Sequence, residues 1–526
     1  MIWKIKDRKQ TDLVEQLLIN RELAKKAEIE AFFTPKLEHF EKDLHLPGID
    51  KAWKRIQQAI DNQELIIVYG DYDVDGVCAS AIMYKALTTL KAKILPYIPH
   101  REKEGYGLSK TGLEFARDSG AALVITVDNG IVALEQAKFA KEIGLDLIIT
   151  DHHLPLETLP EALAIVHSIK MCGTAVAWCL IRGKISKKLE NELLELVAIA
   201  TIADMMPLLE VNRSFVWEGL KILNETKNIG LQELVRQSKL ELGSIGSYEI
   251  GHMIAPRINA IGRLAHAIDA LRLVCTKDPL KAKRLAKLLC DTNTERQQVT
   301  AQALEEAQLM VKKENKIQVL WSDKWNPGII GLIAGRITEE YYLPSLAMSV
   351  SDGKAKGSAR SVDGVNIVEL LRQTSDLLID IGGHSGAAGF SLKEENIAAF
   401  KTKLETLMET VELPGEKVLN IEAEVESNLL SKPLVKKINQ FAPFGYKNPQ
   451  IILASRGMQL SDVRTLSDGK HLKFKADGID AIAFGMGELV KKMVNATTAD
   501  VAYTLEINKY NGQENLQLKV KDIIVS

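Results

Sequence analysis

The stretch Gly70-Asp71-Tyr72-Asp73-Val74-Asp75-Gly76 carries the fold. Three aspartates alternate there, directly after the apolar run Leu65-Ile66-Ile67-Val68-Tyr69 and before a helical pattern over about 77–90. A short, continuous apolar run bounded by glycine and acids is expected to be a strand buried on both faces. A strand that passes through a polar turn into a helix opens a βαβ unit. Apolar runs recur at 93–98, 122–127, 146–150 and 163–167, and helical segments such as 132–143 separate most of them. This rhythm predicts a parallel sheet with helices on both faces.

Acids and histidines gather at the ends of those strands. Asp128 follows one, in Val127-Asp128-Asn129-Gly130, and Asp151-His152-His153 follows another. Asp204 closes a helical run, in Ala200-Thr201-Ile202-Ala203-Asp204. Ligands bind at the carboxyl ends of parallel strands, so three acid-bearing ends converge on one rim. A single acidic turn is weak evidence, because aspartate is common in turns and helix caps. Caps do not account for three such clusters in one domain. Packed carboxylates repel one another and call for cations. Carboxylate with imidazole suits Mn²⁺ or Mg²⁺, with Zn²⁺ also admissible. Two such ions about 3.5–4 Å apart can activate water and stabilise the leaving oxygen of a phosphoester.

These motifs resemble those of the DHH superfamily of phosphoesterases. The run from Gly70 to Gly76 resembles its first motif, Asp128-Asn129-Gly130 its second, Asp151-His152-His153 the motif that names it, and Asp204 its fourth. The resemblance implies a catalytic set of Asp71, Asp73, Asp75, Asp128, His152, His153 and Asp204. Within it, Asp73, Asp75, Asp128, His152 and Asp204 would hold two divalent ions, Mn²⁺ or Mg²⁺, with Asp128 bridging both. His153 would meet the scissile phosphate. Asp71 and Asp151 would orient water and imidazole from outside the metal ligands.

The C-terminal half narrows the resemblance. Gly382-Gly383-His384-Ser385-Gly386-Ala387-Ala388-Gly389 resembles the glycine-rich signature of the DHH-associated domain; glycines let backbone N–H groups approach a phosphate, and His384 adds a donor. Three stretches resemble the RecJ family in particular: Arg257-Ile258-Asn259-Ala260-Ile261-Gly262-Arg263, Trp325-Asn326-Pro327-Gly328-Ile329-Ile330-Gly331 leading to Arg336, and Gly357-Ser358-Ala359-Arg360-Ser361. By that resemblance Ser358 and Arg360, helped by Arg101 and by Arg257 or Arg263, would hold a 5′ phosphate, and arginine's planar fork suits phosphate oxygens. Pro443-Phe444-Gly445-Tyr446-Lys447-Asn448-Pro449 and Tyr510-Asn511-Gly512 followed by Leu516-Gln517-Leu518 resemble an OB-type barrel. Few aromatics stand there, so this barrel is expected to bind single strands mainly by charge.

The expected organisation is an N-terminal helical region (1–45), a parallel-sheet α/β DHH domain (46–230), a helical connector (231–315), a second α/β DHH-associated domain (316–411) and a C-terminal OB-like domain (412–526). Asp278-Pro279 offers an N-cap followed by proline at the first helical position, and the polar pattern after it runs without glycine to about 313. Unbroken, such a helix is roughly 50 Å long and joins two bodies. The run His167-Ser168-Ile169-Lys170-Met171 is shorter than the loop that the family has there, and the region 41–47 is also short.

Composition bounds the setting. The chain has 526 residues, 46% hydrophobic and 26% charged, with a net charge of −2. Positive charge for a nucleic acid must therefore be local. The five cysteines show no CxxC spacing and are expected to be reduced thiols. With no signal sequence and no apolar run long enough for a bilayer, a cytoplasmic monomer away from membranes is expected. The resemblance implies a 5′-to-3′ exonuclease that hydrolyses single-stranded DNA to 5′-mononucleotides in repair and recombination, with single-strand-binding protein and a helicase as candidate partners. One rival is a DHH phosphodiesterase of short oligonucleotides or cyclic dinucleotides, which the length and the barrel disfavour. Another is a non-catalytic single-strand-binding relative, which would lack the acids this chain keeps.

Overall fold

The computed structural model describes the chain apart from Arg8, Glu102, Lys103, Tyr106, Asn511 and Ser526, and apart from the side chain of Tyr510. Part of the Tyr510-Asn511-Gly512 stretch thus lies outside the described residues, as does the last residue of the expected 412–526 domain. The N-terminal region is not wholly helical: a strand, β1 (Ile2–Ile5), precedes helices Leu13–Ile19 and Lys26–Phe33.

The first α/β body holds β2 (Leu65–Tyr69), β3 (Lys93–Tyr97), β4 (Ala121–Val127), β5 (Asp146–Asp151) and β6 (Ala164–His167). They form one all-parallel sheet in the order β3-β2-β4-β5-β6. Ile66, Ile67, Val68 and Tyr69 are all fully buried, as expected for a strand with helices on both faces. The helix after β2, Val74–Thr89, is apolar nearly all round and buried along most of its length.

The expected connector divides between two bodies. Its residues from Leu231 to Leu289 pack in the same core as the first sheet and its helices. The long helix runs Pro279–Met310, capped by Asp278, which accepts from the N–H groups of Leu280 and Lys281. Ala282, Leu285, Ala286 and Leu289 are packed in the first core, whereas Ala303 and Ala307 pack against Trp325, Ile330 and Ile333 of the second body. One rigid element thus fixes both bodies, and its ends belong to them.

The second body contains β7 (Gln318–Ser322), β8 (Ser345–Ser351), β9 (Lys354–Arg360), β10 (Leu378–His384) and β11 (Ala387–Lys393), in the order β10-β11-β9-β8-β7. Here β7 and β8 are parallel and the other pairs antiparallel. The glycine-rich stretch forms the β10–β11 hairpin beside β9.

After Pro414-Gly415, β12 (Val418–Ile421) pairs in parallel with β1, so the first strand of the chain shares a small sheet with the start of the C-terminal region. The remaining strands are β13 (Ala423–Glu424), β14 (Leu453–Leu466), β15 (His471–Ala476), β16 (Ile479–Ala483), β17 (Thr498–Tyr510) and β18 (Gln513–Val525). The order β14-β15-β16-β18-β17 returns to β14, closing a five-stranded barrel. Leu17 and Phe32 enter the barrel core. The N-terminal region therefore packs with the barrel as part of its hydrophobic core.

Candidate metal centre and anion pocket

The carboxyl ends of β2, β4 and β5 meet at the rim predicted from sequence. Asp73 caps the helix after β2 through Gly76 N–H, which it accepts at 3.1 Å. A Cβ on Gly76 would lie 2.6 Å from the Asp71 Cα, so glycine is required where this helix leaves the acidic turn. Asp75 accepts from Gly173 N–H and Thr174 N–H, both at 2.7 Å, at the N-terminus of helix Gly173–Ile181. Asp128 sits in the left-handed region, with φ of 63°. That conformation is uncommon outside glycine and is met most often at turns and functional sites. Gly173 lies against it: a Cβ there would meet the Asp128 Oδ1 at 2.6 Å.

These side chains converge on His152. Its Nε2 lies 3.1 Å from Asp128 Oδ1, 3.6 Å from Asp75 Oδ2 and 3.8 Å from Asp204 Oδ2. Three groups offer ligand atoms within 4.8 Å of one another: Asp75, His152 and Asp204; Asp128, His152 and His153; and Asp71, Asp73 and Asp128. His152 and Asp128 each belong to two groups, as a two-ion site requires. Asp71 falls within the third group, beside the residues expected to bind metal. Asp151 is placed differently: its carboxylate accepts from Ile131 N–H at 2.8 Å and pairs with His153 Nδ1 at 2.7 Å.

The electrostatics fit cations. Burial, then the charge of Asp73, pushes the Asp71 carboxyl well above its ordinary range. Burial, then Asp75, does the same to Asp128 and raises Asp204 to about 8. Asp71 Oδ1 is buried and has no hydrogen-bond partner among the described residues. Protons alone would leave such a cluster part-neutral, whereas divalent ions displace the protons and pair with the orphaned oxygen. Burial lowers His152, which suits an imidazole kept neutral for coordination. Burial also disfavours the charged form of His153, but the bond to Asp151 outweighs it and raises the ring to about 8.

A cationic pocket lies in the second body and on the helix facing it. Arg360 Nη1 donates to Ser358 Oγ at 3.0 Å and to Ala359 O at 2.8 Å. Both residues approach Gly331, where a Cβ would stand 3.1 Å from each, at the start of helix Ile330–Tyr341. Arg263 donates to Gly328 O at 2.9 Å, and Arg101 lies over the Tyr72 ring at 4.8 Å. Burial lowers Arg263 to about 10, and the charges of Arg101, Arg296 and Arg360 add to the shift. Arg257 donates to Met253 O, and its Nε is buried without a partner among the described residues, as is the Nε of Arg296. His384 is exposed at the hairpin tip, two strands from Arg360, with Ala387 paired in register between them.

Sequence reasoning missed Arg296, on the long helix, and Tyr72, inside the acidic motif. A lone arginine in a polar helix carries no signal. Tyr72 was visible but overshadowed by the acids beside it. Asn259 carries no signal of its own in the sequence; its Oδ1 accepts from Val74 N–H at 3.1 Å and ties the arginine helix to the acidic turn.

The fold and the acidic rim together define a DHH-type phosphoesterase. Residues 65–201 match the DHH family N-terminal domain, 314–410 the DHHA1 domain and 421–522 the RecJ OB domain. The chain belongs to the RecJ family. It is 35% identical to the single-stranded-DNA-specific exonuclease RecJ of Bacillus subtilis, over 98% of this chain and 68% of that one. It is 31% identical to that of Haemophilus influenzae, over 90% of each. Its structure matches Thermus thermophilus RecJ in complex with Mn²⁺ at a TM-score of 0.86 and 28% identity, covering 99% of this chain and 79% of the other. The Mg²⁺ complex of the same protein matches at 0.78 and 27%, over 99% and 78%. Among the described residues no helix is long and apolar enough to cross a membrane.

Proposed function

We propose that the chain is a metal-dependent exonuclease that hydrolyses single-stranded DNA from its 5′ end and releases 5′-mononucleotides. The observation that carries this reading is the pairing of a buried acid–histidine cluster at the carboxyl ends of β2, β4 and β5 with an arginine–serine pocket on the second body. The relatives named single-stranded-DNA-specific exonucleases give the substrate class.

Two divalent cations, Mn²⁺ or Mg²⁺, would be held by Asp73, Asp75, Asp128, His152 and Asp204, with Asp71 close enough to join them. When bound they supply an activated water and charge stabilisation at the leaving oxygen. The remaining residues position the substrate. His153, paired at Nδ1 with Asp151, would meet a phosphate oxygen of the strand. Ser358 and Arg360, backed by the first-turn N–H groups of helix Ile330–Tyr341, take the terminal phosphate. Arg101, Arg257 and Arg263 supply further positive charge, and His384 waits at the hairpin rim. The strand's first phosphodiester then lies over the acidic rim. The domain reading that goes with this proposal extends the DHH body through about residue 289 and counts the N-terminal region with the barrel.

The test is hydrolysis of single- and double-stranded DNA by the purified chain after chelation and after readdition of Mn²⁺. Activity should vanish on chelation, return with metal, and favour the single strand. Asp128→Ala should lose more than roughly a thousandfold, since this carboxylate serves both metal groups. Activity of Asp128→Ala within tenfold of the parent, in a preparation free of contaminating nuclease, is incompatible with the proposal.

A further inference from the structure

The metal centre and the anion pocket account for the first nucleotides of a strand but not for the course of the rest. The outer wall of the barrel suggests that course. Leu472 and Phe474 of β15, Ala481 and Ala483 of β16, and Leu518 and Val520 of β18 point into the barrel core. Side chains alternate along a strand, so their neighbours share the outer face. The register places Lys473 beside Ile482 and Ile482 beside Lys519. Lys475 and Lys521 lie further along the same face. Four lysines there outweigh Asp480 and Glu506, which makes the face suited to a polyanion.

At one end of this face stands Phe484, 52% exposed, with the His471 ring edge-on at 5.2 Å. Facing it from the first α/β body is Tyr248, 51% exposed, stacked on His252 at 4.4 Å and 19°. The Lys519 ammonium lies 5.2 Å from the Tyr248 ring centroid and 5.8 Å from that of Phe484. One cation is thus shared between two half-exposed rings from different bodies. Tyr248 opens a continuous helical run that passes through the π-helical turn Ile250–Ile254 into helix Ala255–Leu264, which carries Arg257 and Arg263. Such turns are frequent at functional sites. Along that run Tyr248 is about 14 Å from Arg257, at 1.5 Å per residue.

We propose that Tyr248 and Phe484, with Lys519 between them, form a base-stacking platform across the junction of the first α/β body and the barrel, on the strand's path 3′ of the cut. Any base can stack on an exposed ring, so the platform is independent of sequence. Lys519, already oriented by both rings, meets the phosphates between stacked bases. Because each body supplies one ring, a strand bound here holds the barrel and the body together. The inference rests on the reading of the chain as a single-strand exonuclease.

The experiment measures binding of 5′-phosphorylated oligothymidines to the full chain with Ca²⁺ to suppress cleavage, using one strand of roughly 40 nucleotides and one of roughly six. Tyr248→Ala and Phe484→Ala should each lower the ratio of long-strand to short-strand affinity by about tenfold, the scale of one lost base stack. Tyr248→Trp should restore the ratio, and a long strand made abasic beyond its first nucleotides should no longer distinguish Tyr248→Ala from the parent. Both rings are half exposed, so the variants are expected to fold, which circular dichroism checks. An unchanged ratio, or the same loss on abasic strands, overturns the platform. If the parent protein neither binds nor degrades single strands, the exonuclease reading itself fails, so the two failures are distinguishable.

Discussion

Individual residues decide whether this rim does chemistry or merely caps helices. Asp75 shows both roles at once, because each oxygen accepts a backbone N–H from helix Gly173–Ile181 while one of them lies 3.6 Å from His152 Nε2. The 5′-end pocket makes a sharper residue-level claim. A terminal phosphate met by Arg360 and Ser358 gains charge-assisted contacts of about 1.5–3 kcal/mol each. Arg360→Ala should therefore weaken binding of 5′-phosphorylated strands by roughly tenfold to a hundredfold, and of 5′-hydroxyl strands much less. Paired titrations with Ca²⁺ check this, and equal losses on both substrates would make Arg360 a general backbone contact. A second residue governs stability. Burial raises the Glu195 carboxyl to about 7, against hydrogen bonds from Thr226 and Asn228 that pull it down. An acid that holds its proton more tightly when folded costs stability as pH rises from about 4.5 to about 7, and the full cost persists above that window. Glu195→Gln keeps the hydrogen-bonding shape and removes the charge. It should gain about 2–3 kcal/mol over the parent at pH 8 and little at pH 4.5. Denaturant melts at both values test it; a variant with the parent's pH dependence would show that Glu195 is not the source.

At the scale of elements, what was legible in the sequence was local. The strand β2 and the acidic turn follow from the apolar run and the alternation of acids within a few residues; the helix after them is expected from about 77 but begins at Val74, because Asp73 caps it. The start of the long helix followed from Asp278-Pro279. What escaped depends on partners far along the chain. Ile2-Trp3-Lys4-Ile5 is too short to declare itself a strand without β12, and β14 extends through the polar segment 455–466 because β15 and β17 pair with it. Exposed Phe484 stands in the barrel's own segment, but Tyr248, which faces it across Lys519, comes from another body. The short loops at 41–47 and 167–171 meet through Asp43 and Lys170, 2.8 Å apart, which neither segment alone could indicate. Arg213 is the element-scale device that joins these parts. From helix Glu210–Asn224 it donates to Phe32 O at 2.8 Å, Pro443 O at 3.3 Å, and Phe441 O and Ala442 O at 3.2 and 2.7 Å, with its guanidinium 3.7 Å from the Phe32 ring centroid. Arg213→Met should take their side-chain donor from Phe32 O and Ala442 O, while Asn448 Nδ2 still serves Phe441 O and Pro443 O at 2.9 Å each, and cost on the order of 3 kcal/mol. The expected signs are a lower melting temperature and faster proteolysis between the first body and the barrel. A melting temperature equal to the parent's would remove Arg213 from this role.

Across the whole molecule, the long helix Pro279–Met310 sets the distance between hydrolysis and anchoring. Its first half is packed in the core that holds the acids, and its second half packs on the body that holds Ser358 and Arg360. A strand held by its 5′ phosphate at Arg360 and Ser358, with its first phosphodiester over the acids, as proposed, would need bases that unstack. A duplex would have to melt at its end, at roughly 1.4 kcal/mol per base-pair step. The barrel packs with the N-terminal region through Leu17 and Phe32, and in the proposed function it extends the grip on the strand. Direction is the property that joins these parts, because it requires the pocket and the metal rim together. The decisive measurement is therefore the degradation of one single-stranded oligonucleotide, labelled at its 5′ end in one reaction and its 3′ end in the other, with Mn²⁺ present. The 5′ label should appear as mononucleotide from the earliest time points, while the 3′ label passes through a ladder of shortening strands. Early release of the 3′ label as mononucleotide, with the 5′ label retained on a ladder, would contradict the account.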